Sequence, residues 1–230
     1  MRLLTEEEKD YVQYKKEFTK YNDLMETNLE EYLRNSHTRL LVSNFLKDYI
    51  LETTDLQQNT YINYLRFIDS WFSYESIIKT LERLGYTNKS TTKPEKLIKE
   101  ILELSGCNKI IESSLNNLCS SPGSIEQISK VAYYRMLLSN DAISKNQEEH
   151  LKNLIKKIEA FSISSITIYE FLALCYAIRN SYAHNGETAR AGTLSYSIKI
   201  EILESCYHLL LRIMYRYCSF VYSNLIKNIS

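Results

Sequence analysis

Residues 176–187 read YAIRNSYAHNGE, and within them Arg179, Asn180 and His184 stand as Arg-Asn-x-x-x-His. An arginine is permanently charged and forks onto phosphate oxygens. A histidine takes or gives a proton near neutral pH. Together the two can cleave RNA without a metal. The imidazole assists proton transfer at the 2′-OH or at the leaving 5′-oxygen, and the guanidinium neutralises charge building on the phosphorane. Asn180 can fix the histidine or bind a phosphate oxygen. The same residues also have a purely structural reading, because basic side chains near a helix C-terminus satisfy its carbonyls and its macrodipole. A near copy upstream, Arg34-Asn35-Ser36-His37, has a shorter spacing and runs into the start of another helix.

For these three residues to act together, one helix must carry them. TIYEFLALCYAIRNSYAH supplies it, with Ile168, Phe171, Leu172, Cys175, Ile178 and Tyr182 as the apolar stripe. Ser164 or Ser165 is a natural N-cap for this helix, and Asn185-Gly186 ends it. Asn180 and His184 are then offset by roughly 40° around the axis, and Arg179 flanks the same edge if the helix end unwinds slightly. A polar loop follows, then a last long helix over about 195–227.

Helical periodicity continues upstream. One helix is predicted over 5–34, with Tyr11, Tyr14, Phe18 and Tyr21 as its stripe, and a second over 36–51. Asp55 closes an N-cap signal for a long helix over 56–84, with Phe67, Trp71, Tyr74, Ile78 and Leu81 on one face. YTNKSTTKP at 86–94 is the most polar stretch and the natural connection. Short helices follow over 94–104 and 108–118, Ser124 caps another to about 138, and 145–159 reads as a Lys/Glu-rich surface helix. No strand pattern of period two persists. Five glycines and two prolines in 230 residues are too few for the turns of a sandwich or barrel. The expected fold is an all-α bundle forming one domain over 1–230, with the motif-bearing part at about 124–230.

Charge narrows the function classes. Lysine and arginine number 28 against 28 acidic residues, which excludes a general polyanion-coating surface and confines any nucleic-acid site to a local patch. The basic residues nearest the motif for positioning RNA are Arg190 and Lys199, followed by Arg212 and Arg216. Cys107, Cys119, Cys175, Cys206 and Cys218 form no CxxC and read as reduced, buried cytosolic thiols. Cys206 and His208 are two apart and point to different faces of a helix, so no metal site is expected there. The most apolar stretch, HLLLRIMYRYCSFVYSNLI, is interrupted by Arg212 and Arg216, and no membrane span is expected.

RNSYAH at 179–184, at the end of a bundle helix with another long helix behind it, resembles the R-[N/D/H]-x-x-x-H motif of the HEPN superfamily (higher eukaryotes and prokaryotes nucleotide-binding). Elsewhere the likeness is only architectural. It implies an all-α HEPN-type bundle with additional helices and a metal-independent endoribonuclease activity without a cofactor. Arg179 and His184 would be the catalytic pair, and Asn180 the polar second position. Because the chain carries one motif, it also implies a homodimer with a composite active site. RNA would be the substrate, and the setting a cytoplasmic toxin or anti-phage defence effector with an antitoxin or defence-system partner. Some members recruit an acidic residue from another helix, and Glu75 is the auxiliary candidate here. Others carry a tyrosine two residues after the histidine that a partner modifies, but this chain has Gly186 there. A second reading keeps the fold without catalysis, as a module binding RNA, a nucleotide or a protein partner.

Overall fold

A computed structural model describes residues 5–24, 55–83, 115–140, 145–185 and 194–229. Their regular elements are all helical: α1 (Glu6–Leu24), α2 (Leu56–Arg83), α3 (Ile125–Asn140), α4 (Lys145–Glu159), α5 (Ile168–Asn185) and α6 (Tyr196–Ile229). Single 3-10 turns at Leu115–Leu118 and Ile163–Ser165 precede α3 and α5. The all-α expectation therefore holds among the described residues. The helices predicted over 36–51 and 94–104, most of that over 108–118, and the connection at 86–94 lie outside them.

The chain divides into two compact units: 1–44, 69–107 and 208–230 in the first, 45–68 and 108–207 in the second. Both α2 and α6 contribute to each unit. The motif belongs to the second unit.

In the first unit, α1 packs its tyrosine stripe on the second half of α6. Tyr14 stacks on Tyr215 at 5.4 Å between ring centroids, Tyr21 meets Tyr222 at 5.3 Å, and Phe18 meets the Tyr222 ring edge-on at 5.6 Å. Burial pushes the phenols of Tyr14 and Tyr222 well above their ordinary range, so both stay protonated as core groups. A polar edge runs beside the rings. Asp10 accepts from Nε of Arg212 at 3.3 Å and of Arg216 at 3.0 Å, and His208 Nδ1 meets Glu7 at 2.8 Å. These arginines, candidates for RNA, are spent on α1.

In the second unit, α4 lies along α5 and α3 packs on both. Helix α4 is plainly amphipathic: Leu151, Leu154, Ile155 and Ile158 are buried, while Lys152 and Lys156 face solvent. Helix α5 is different. Phe171, Leu172, Ala173, Leu174, Cys175, Ala177 and Ile178 are all buried, so it is covered almost all round and forms the centre of the unit. The sequence stripe captured only part of this, because alanines and a leucine between the stripe positions are buried as well.

Helix α5 starts on Thr167, not on Ser164 or Ser165. The Glu170 amide donates to Thr167 Oγ1 at 3.4 Å and the Thr167 amide donates to Glu170 Oε2 at 2.6 Å, a reciprocal capping box. Lys157 of α4 adds an ion pair to buried Glu170 at 2.7 Å. The two serines form the preceding 3-10 turn instead, with Ser165 Oγ donating to the Ser162 carbonyl. Thr167→Ala is expected to cost about 1 kcal/mol, read as a lower urea midpoint at unchanged slope. Ser164→Ala should leave the midpoint unmoved.

Candidate active site

The address of the motif follows from α5. Its N-terminus is fixed by the capping box and its middle is buried, so its polar residues can only gather at its C-terminal end. Arg179 and Asn180 are half-buried there, Ser181 is buried and Ala183 is exposed. The helix stays regular through Asn185, beyond His184. No unwinding brings Arg179 onto the edge shared by Asn180 and His184; on a regular helix Arg179 sits about 100° away from Asn180. The side chain closes that gap: Arg179 Nη1 donates to Asn180 Oδ1 at 2.8 Å. Asn180 therefore holds the arginine. The described side chains of α5 stop at Ala183, so the His184 imidazole lies outside them, as do Arg190, Gly186 and the Arg34–His37 stretch.

Tyr182, inside the motif, stacks on Tyr64 of α2, with centroids 4.9 Å apart and planes 24° apart. Tyr64 has no solvent exposure. The Lys199 ammonium lies 4.8 Å from the Tyr64 centroid and 5.6 Å from that of Tyr133 on α3. Lys199 is itself 0% exposed, so it is not the surface phosphate contact expected of it. Its four-carbon stem and charge are drawn into the interior, where electron-rich ring faces receive the ammonium. Tyr64 was missed in the sequence, although a signal existed: positions 64, 67, 71 and 74 continue the α2 stripe back by one turn.

Two other cations of this unit are buried. Arg66 stands 4.0 Å over the Tyr207 ring and donates to Asn63 Oδ1 at 3.2 Å. Lys130 donates to the Asn117 carbonyl at 2.6 Å and pairs with Glu201 at 3.1 Å. Glu75 belongs to the first unit, where its carboxylate accepts the Trp71 indole N–H at 2.9 Å. That bond gives the acidic residue a structural task within its own helix.

Four cysteines, Cys119, Cys175, Cys206 and Cys218, are free and buried. Burial pushes the Cys119 thiol up to about 11 and those of Cys175 and Cys218 well above the usual range, with a hydrogen bond to Cys206 adding to the rise at Cys175. Cys119, Cys175 and Cys218 are thereby kept as protonated packing groups, not nucleophiles. Cys206 has Cys175 as its neighbour and His208 has Glu7, so the two residues make separate contacts. A cavity of about 350 Å³ lined by Pro122, Gln127, Ile128, Val131 and Phe161 includes no residue of the motif. Among the described residues no helix is long and apolar enough to cross a membrane.

No family model, no curated protein and no solved structure matches the chain.

Proposed function

We propose that the chain is a metal-independent endoribonuclease of the HEPN type, with Arg179 and His184 as its catalytic pair. The observation that carries this reading is the Arg179–Asn180 hydrogen bond at the polar end of a helix whose middle is largely buried. A guanidinium whose orientation is set beforehand by a hydrogen bond to an amide oxygen is the kind of fixed cation that stabilises charge developing on a phosphate. His184 follows one turn after Asn180, on the same face of the helix, and supplies the proton transfer. The 2′-OH attacks the adjacent phosphorus and the bond to the 5′-oxygen breaks. A 2′,3′-cyclic phosphate and a 5′-hydroxyl result, with the 2′-OH proton leaving and one proton reaching the 5′-oxygen. Two copies of the motif meeting across a homodimer would complete the cleft and concentrate its charge. A cytoplasmic toxin or defence effector with its own antitoxin or partner protein follows from the same resemblance.

The test is incubation of the purified protein with a labelled structured RNA in EDTA, wild type beside His184→Ala. Cleavage by wild type alone, leaving cyclic-phosphate and 5′-hydroxyl ends, is the expected result. RNA binding without cleavage by either protein would replace this reading with the non-catalytic module.

A further inference from the structure

We infer that Tyr64, Tyr182 and Lys199 form an internal clamp that holds the last turn of α5 in helical register and thereby positions Arg179 and His184. The kinetic part of this inference rests on the endoribonuclease reading; the structural part does not.

The last turn of a helix is its weakest, because its final four carbonyls have no intrahelical partners. Here Asn185-Gly186 adds a stop signal directly after His184. The helix nevertheless runs unbroken to Asn185. Tyr182 is the tyrosine of that turn, and its ring is fixed on Tyr64 at 4.9 Å. Tyr64 cannot yield, being fully buried with the Lys199 ammonium 4.8 Å from its centroid. The Tyr133 ring on α3 also faces that ammonium, at 5.6 Å. The contacts thus tie the end of α5 to the start of α2, the start of α6 and α3, all within one unit. An ammonium withdrawn from water strengthens its attraction to a ring face.

Tyr182 lies three residues after Arg179 and two before His184, so the clamp grips the motif between its arginine and its histidine. Fraying of this turn would release His184 first and leave Arg179 on Asn180. Chemistry would be lost before phosphate binding.

The variants are Tyr182→Leu, which keeps bulk but removes the stack, and Tyr182→Phe, which keeps the stack. Tyr64→Leu tests the same contact from the buried side. Leu151→Ala is the control for general destabilisation, since Leu151 is a buried α4 residue with no part in the clamp. The readouts are amide hydrogen exchange over 182–185 and single-turnover cleavage kinetics. Tyr182→Leu is expected to speed exchange in that segment by about three- to tenfold, the effect of losing one aromatic pair. It should lower the maximal single-turnover rate by about ten- to a hundredfold with the half-saturating protein concentration nearly unchanged, as a misplaced catalytic group does. Tyr182→Phe should match wild type in both. Leu151→Ala should lower Tm without speeding exchange over 182–185 relative to the rest of the unit. Wild-type exchange over 182–185 in Tyr182→Leu, or the same relative loss of protection in Leu151→Ala, would overturn the clamp. A wild-type protein that cleaves no RNA would sink the proposed function while the exchange result still decides the clamp.

Discussion

Arg179→Ala is expected to lower single-turnover RNA cleavage by about 10²–10³-fold, the range seen when one preorganised charge or donor is removed from a transition state. His184→Ala should cost about 10²–10⁴-fold, the usual contribution of a general acid or base. Arg179→Lys should recover only part of the loss. It restores the charge but not the fork that allows the side chain to hold Asn180 and a phosphate together. Asn180→Ala removes that anchor and should slow cleavage about tenfold, the equivalent of one hydrogen bond to a charged group. The series is measured with protein in excess over labelled RNA, alongside circular dichroism and thermal unfolding. All four substitutions lie at the end of α5, outside its buried middle, so the fold should survive them. Arg179→Ala cleaving at the wild-type rate would remove Arg179 from the chemistry and return it to the structural role of a helix-end cation.

Lys130→Ala should destabilise the protein by about 3 kcal/mol, the lower end of the cost of breaking a buried ion pair. Lys130 has no solvent exposure, and its ammonium serves the Asn117 carbonyl and Glu201 at once. Glu201 keeps 43% of its side-chain exposure, so water takes over part of its solvation and holds the loss to that lower end. What remains is a void beneath α3 and a 3-10 turn at Leu115–Leu118 held by fewer bonds, chiefly the Tyr134 hydroxyl on the Leu118 carbonyl at 3.0 Å. Lys130→Met fills most of that void and should cost about 1 kcal/mol, because only the polar contacts are lost. Urea unfolding of the three proteins at one pH measures the difference. Equal midpoints for Lys130→Ala and wild type would mean that the ammonium contributes nothing net to the fold.

The helices were legible where period and punctuation agreed. Asp55 caps α2 as its position suggests, its carboxylate accepting the amides of Gln57 at 2.8 Å and Gln58 at 3.1 Å. Ser124 likewise caps α3, accepting from the Gln127 amide at 3.1 Å. The start of α5 was read too early because serines are good caps anywhere, whereas Thr167 wins by having Glu170 three residues on to close the box. The division into two units was not legible, since α2 and α6 run through it without a break in their periodicity. Lysine side chains were the least readable of all. Lys199 follows Ser197 near a helix start and looks like surface, yet its long stem can bury a charge wherever rings wait to receive it, and no local pattern announces which way it turns. The Arg179–Asn180 pair is a similar case. Adjacent residues on a helix point about 100° apart, and only the reach of the arginine brings them together.

Helix α5 also determines how a saturation scan of this gene would read. From Phe171 to Ile178 seven of eight positions are buried, so the helix offers almost no tolerant face. A map of phenotypes would show one unbroken block of intolerance running from the core straight into RNSYAH, with no neutral gap to mark where folding ends and chemistry begins. The boundary would appear only in a second layer, the steady-state amount of each variant. Substitutions up to Ile178 should deplete the protein, and those at Arg179 and His184 should leave its abundance intact. Plotting phenotype against abundance would therefore pick Arg179 and His184 out from the structural positions around them, buried Ser181 and the stacked Tyr182 included.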